Sequence, residues 1–146
     1  MKWAALIAWI LTAGGGFILL SIWLMRGGMR QEGSRPTRFP PPLILGHFLL
    51  AAGGLVLWII YLAADKDALA WIAFVVLAIV AALGWTMFAI WARERRGTAA
   101  GGAPTVSQAP QEPAEQHFPV PVVALHGVLA VTTVVLVLLT ALGVGD

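Results

Sequence analysis

Residues 39–47 read Phe-Pro-Pro-Pro-Leu-Ile-Leu-Gly-His, and residues 118–126 read Phe-Pro-Val-Pro-Val-Val-Ala-Leu-His. Each string opens a long apolar block, and each sets a histidine eight residues after its phenylalanine. Proline is tolerated in the first turn of a helix, where its missing N–H costs nothing, and it biases the preceding residue toward extended backbone. The string therefore marks a helix start twice in one chain, with the phenylalanine expected at the membrane interface.

The likeness extends outward from both strings. An offset of 79 residues lays Phe39, Pro40, Pro42, His47, Leu50, Ala51, Val56 and Leu57 on Phe118, Pro119, Pro121, His126, Leu129, Ala130, Val135 and Leu136. An offset of 68 lays Trp3, Ala5, Ala13, Gly16, Ile22 and Trp23 on Trp71, Ala73, Ala81, Gly84, Ile90 and Trp91. The chain reads as a tandem duplication of a two-helix hairpin, repeat 1 over 3–64 and repeat 2 over 71–143. Two spans per unit give both copies the same orientation, so the expected symmetry is a pseudo-two-fold axis along the membrane normal.

Four apolar blocks result, at about 3–25, 41–64, 68–92 and 120–143, with no internal Asp, Glu, Lys or Arg. At 1.5 Å per residue each reaches roughly 33–37 Å, enough to cross a hydrocarbon core of about 30 Å. The expected fold is an all-α integral membrane protein, a bundle of four transmembrane helices. The first block is too long for a secretory leader, and no small-residue cleavage site follows it before a soluble domain. Gly97–Gln116, rich in Gly, Ala, Pro and Gln, reads as a flexible linker.

Composition agrees with membrane residence. Of 146 residues, 60% are hydrophobic and 11% charged. A soluble domain carries roughly twice that charged fraction. The sequence pI of about 9.7 accompanies a net charge of only +2, and nucleic acid is not an expected partner. Seven of the nine Lys and Arg residues lie in the first and third connections; only Lys2 and Lys66 lie on the other side. The positive-inside rule then puts both long connections in the cytoplasm and both termini outside, as expected for a multi-pass protein of a bacterial inner membrane. Trp3, Trp23, Trp71 and Trp91 near the span ends suggest an aromatic belt.

The chemistry that remains is narrow. Without cysteine there is no disulfide, thiolate metal site or iron–sulfur cluster. No nucleophile triad, carboxylate pair, phosphate loop or dinucleotide fingerprint is present, so the chain reads as a carrier or subunit and not a complete enzyme. His47 and His126 are the two strongly ionisable residues inside the spans, at one depth, on helices that a four-helix bundle sets diagonally. Intramembrane histidines carry a function or a partner. A metal macrocycle with two axial positions, haem b above all, fits between them. A chlorophyll-type pigment also accepts an axial histidine, and a quinone-binding site or plain interhelical contacts remain alternatives. Gly46 and Gly127 beside the histidines, with Gly14–Gly16, Gly53, Gly54 and Gly84, offer room. Arg30, Arg35 and Arg38 could neutralise haem propionates. His117 reads as solvated.

The paired histidines resemble those of small four-helix membrane cytochromes b, the cytochrome b561-type electron carriers and the haem-bearing anchors of respiratory dehydrogenases. The resemblance covers the four spans and rests on His47 and His126. It implies electron transfer by one bis-histidine haem, within a larger membrane complex or a homodimer. A non-catalytic accessory subunit of a respiratory or photosynthetic complex is the other reading.

Overall fold

A computed structural model describes residues 1–29, 37–100 and 113–145, without the side chains of 98–100. The chain forms α1 (Lys2–Met25), α2 (Pro41–Ala64), α3 (Asp67–Ala100), a 3-10 turn (Ala114–His117) and α4 (Val120–Ala141). All four helices are long and apolar enough to cross a membrane. The protein is an all-α, multi-pass membrane bundle whose outer faces meet lipid.

Local sequence sets the helix ends. Pro40 and Pro119 stand at the N-caps of α2 and α4, with further proline in the first turn. The helices α1 and α4 close on Gly27 (φ 81°) and Gly143 (φ 74°). There Gly28 N–H donates to Trp23 O and Val144 N–H to Leu139 O, at 2.9 Å each. This closure needs a left-handed residue just past the helix, which glycine adopts without a Cβ penalty. Between α2 and α3 the chain turns over two residues, Asp65 and Lys66, with Asp65 left-handed (φ 47°). Hydroxyls within the spans donate to the carbonyl four residues back, Thr12 to Ala8 and Thr133 to Leu129 at 2.8 Å, so they need no water.

The helices form a ring in chain order, with α1 packed most extensively on α4 and α2 on α3. Exchanging the two halves of the chain maps the α1–α4 pair onto α3–α2. The neighbours α1–α2 and α3–α4 pack less closely, leaving a seam between the two tight pairs.

Two apolar clusters fill the interior. Near the termini, Trp9, Trp58, Tyr61 and Val137 pack on Ala5, Ala70, Ala73, Leu77 and Val80. Near the long connections, Trp23, Phe39, Ile44, Trp91, Ala114 and Phe118 form the second cluster. This corrects two expectations. Trp23 and Trp91 are buried, so only Trp3 and Trp71 of the proposed belt face outward. Phe39 and Phe118 also turn inward, away from lipid; they pack on each other with ring centres 6.1 Å apart. These large side chains turn toward the bundle interior, where they bury more apolar area than lipid headgroups would cover.

The linker expectation also needs correction at both ends. Residues 97–100 continue α3, and residues 113–116 are folded. Glu115, with no exposed surface, holds this end down. Its carboxylate accepts from Arg38 N–H at 2.6 Å and from the Thr37 hydroxyl at 3.1 Å. Composition averages over a segment; a single carboxylate meeting buried donors decides the local outcome.

Candidate functional site

His47 of α2 and His126 of α4 face one another across the bundle centre. Their ring centres are 6.4 Å apart and their planes lie at 65°. Both side chains are half-buried, between the two apolar clusters.

Each imidazole is anchored by a helix of the other repeat. His126 Nδ1 is 2.9 Å from the Thr12 carbonyl of α1. His47 Nδ1 is 3.0 Å from the Val80 carbonyl of α3. The 68-residue offset that superposes the repeats carries Thr12 onto Val80. A carbonyl only accepts, so in each bond Nδ1–H donates, and Nε2 of a neutral ring keeps its lone pair.

The glycines explain how a carbonyl already used by its helix can also take an imidazole. A helical side chain leans toward the N-terminus and covers the turn before it. The residues four places after Thr12 and Val80 are Gly16 and Gly84, which leave both carbonyls uncovered. The approach is close: a Cβ on Gly16 would stand 3.0 Å from His126 Cε1, and one on Gly84 would stand 3.1 Å from His47 Cε1. Gly15 adds contact on the first side, its would-be Cβ 3.5 Å from His126 Nδ1.

The other expected site residues fare unevenly. Gly46 and Gly127 are not what the rings pack against; a Cβ on either meets nothing within 4 Å. Arg30 and Arg35 lie outside the described residues. Arg38 is exposed, and its guanidinium stands 3.6 Å from the Glu94 carboxylate. His117, read as solvated, is half-buried in the 3-10 turn.

Sequence reading missed two features. One is the pair of carbonyl anchors, signalled only by the Gly16/Gly84 identity. The other is Glu115, which lies three residues before the second Phe-Pro string. Thr12 links the histidine layer to α4 again, its hydroxyl 3.1 Å from that of buried Thr133. Among the described residues no three His, Cys, Asp or Glu side chains gather into a metal cluster. Two imidazoles alone leave a tetrahedral ion short of ligands.

No protein-family model matches the chain, and neither curated proteins nor solved structures give a match.

Proposed function

We propose that this protein is an integral-membrane haem b protein, an electron carrier or haem-bearing subunit, with His47 and His126 as the axial ligands of one haem. The observation that carries the reading is the imidazole pair: two rings from opposite helix pairs, 6.4 Å apart, each with Nδ1 tied to a backbone carbonyl. Metal–imidazole bonds run about 2.0–2.1 Å, and with roughly 1.1 Å from nitrogen to ring centre, two axial imidazoles put their centres about 6.3 Å apart. Ligating histidines characteristically donate their other N–H to a carbonyl or carboxylate, which fixes the tautomer and the ring direction. The seam between the α1–α4 and α2–α3 pairs suits a flat group, since each pair contributes one imidazole.

Haem so held supplies one-electron oxidation and reduction. The chain's own residues bury the site in apolar surroundings, orient both imidazoles and set the polarity around them, the levers by which a protein tunes a potential. Donor and acceptor are then partner proteins of a membrane complex or a quinone. The positive-inside rule supports a reading with the loop end in the cytoplasm and the termini outside a bacterial inner membrane. An Arg30→Cys variant then resists a membrane-impermeant thiol reagent in intact cells, and ready labelling would invert the topology.

The decisive experiment is the visible spectrum of protein purified from haem-sufficient cells, before and after dithionite. Sharp bands on reduction are expected, lost on replacing either His47 or His126 by Ala. A colourless wild type, or loss with only one of the two substitutions, overturns the reading. Far-red absorbance indifferent to dithionite would identify a chlorophyll-type pigment instead.

A further inference from the structure

The loop end of α3 departs from its counterpart in repeat 1. Helix α1 stops at Met25, whereas α3 runs on to Ala100. The 68-residue offset carries Met25 onto Arg93 and Gly28 onto Arg96, so α3 gains two guanidiniums where repeat 1 has a thioether and no side chain. Four charged residues follow one another closely here, and two are engaged by the protein itself. The Glu94 carboxylate stands 3.6 Å from the Arg38 guanidinium, and the Arg95 guanidinium lies 5.2 Å from the centre of the Trp91 ring. Arg93 and Arg96 are exposed on another face of the helix.

That face carries a hollow of about 580 Å³, open to the surface and lined by Ala82, Trp85, Phe88 and Ala89 together with Arg93 and Arg96. Small alanines beside large rings leave a trough along the helix. The Trp85 and Phe88 rings are stacked, their centres 5.3 Å apart, and Trp85 is 70% exposed. Among the described residues no carboxylate lines the hollow. Depth decides what it meets. Asp67 opens α3 on the terminal side of the membrane. At 1.5 Å per residue, Arg93 and Arg96 stand about 39 and 44 Å farther along, against about 40–45 Å for a bilayer with its headgroup layers. Ala82 lies roughly 22 Å along, inside the hydrocarbon. The hollow therefore runs from acyl-chain depth to the level of the lipid phosphates, with both charges at the phosphate end.

We propose that this face of α3 is a binding site for an anionic phospholipid, its phosphate held by Arg93 and Arg96 and an acyl chain laid over the alanines against Trp85 and Phe88. The charge argues for the headgroup. Two guanidiniums with no carboxylate beside them complement a lipid of net negative charge, whereas a zwitterionic headgroup brings a cation back to the arginines. The guanidinium fork matches pairs of phosphate oxygens, and each basic residue at the membrane surface adds to the preference for anionic lipid. The corresponding face of α1, with Met25 in the place of Arg93, offers apolar contact without the charge. The inference stands whether or not a macrocycle occupies the histidine layer.

The test places the full chain in phosphatidylcholine nanodiscs and adds a minor fraction of phosphatidylglycerol or phosphatidylcholine brominated on the acyl chain. Bromine quenches nearby indoles, and the difference from Trp85→Phe isolates the Trp85 signal. At equal mole fraction, phosphatidylglycerol is expected to reach Trp85 about twentyfold more tightly than phosphatidylcholine. Arg93→Gln and Arg96→Gln each lower that preference about fivefold, while Arg93→Lys, which keeps the charge, retains most of it. Ala89→Leu fills the trough, leaves both charges and also lowers the preference. Arg26→Gln, at an exposed arginine beyond the end of α1, leaves it unchanged. Equal quenching by the two lipids overturns the proposal. So does a loss in Arg26→Gln as large as in Arg93→Gln, or a full preference in Ala89→Leu, since either reduces the effect to diffuse surface charge. Abolition of the preference by inorganic phosphate at constant ionic strength makes this a free-phosphate site and ends the lipid assignment. Quenching by neither lipid, in discs that hold two copies of the chain, assigns the hollow to a contact between copies and overturns it as well.

Discussion

The two ends of the bundle are built on different principles. At the terminal end, Trp9, Trp58 and Tyr61 stack beside small alanines, and the Trp58 indole donates to the Lys2 carbonyl at 3.3 Å. Helices there are joined by one tight turn and held by shape. At the loop end, Trp23, Phe39, Trp91 and Phe118 share an apolar cluster, and the buried Glu115 carboxylate ties the two long connections together. The first arrangement tolerates hydroxyl loss and resists added volume; the second tolerates little change in its polar atoms. A protein of this size can thus hold a close-packed anchor and a polar cap on the same four helices.

That contrast can be broken in four ways, read by unfolding in mixed micelles. Glu115→Ala has the largest expected effect. It strips the acceptor from Arg38 N–H and the Thr37 hydroxyl, and loses about 2–4 kcal/mol. Glu115→Gln, which keeps an acceptor oxygen, recovers part of the loss. Gly54→Ala probes the terminal end, where the new Cβ would stand 2.9 Å from Trp9 Cζ2. The overpacked site loses about 1–3 kcal/mol. Thr133→Val removes the hydroxyl beside Thr12 and costs about 0.6 kcal/mol, as membrane hydrogen bonds between helices generally do. Smallest is Asp65→Asn, which keeps a residue at ease in left-handed backbone and removes the 2.8 Å ion pair with Lys2. Asp65 is largely exposed, so the change is under about 0.5 kcal/mol and shrinks with added salt. Should Glu115→Ala prove milder than Gly54→Ala, the loop end is held by aromatic packing and the contrast fails.

The histidine layer between the ends was partly legible in advance. The equal spacing of His47 and His126 from Phe39 and Phe118 put them at one depth, and diagonal helices brought them together as expected. Of the glycines expected to leave room, Gly16 and Gly84 face the imidazoles and Gly46 and Gly127 face open space; a helix turns about 100° per residue, so a neighbour along the chain faces elsewhere. The glycines that matter, Gly16 and Gly84, act on a helix of the other repeat. The same difficulty hid Glu115: its partners Thr37 and Arg38 lie more than seventy residues away.

The amino-acid sequence alone determined four spans, a repeated sequence pattern and a matched pair of imidazoles. Bilayer thickness turns span length and apolarity directly into structure, and a repeat needs no partner to be seen. Tertiary structure alone decided which helices pair closely, which carbonyls anchor the histidines and which carboxylate is buried. Every residue carries a carbonyl, so no letter of the sequence marks the ones at Thr12 and Val80; only the packing of a glycine-lined face against a facing imidazole selects them.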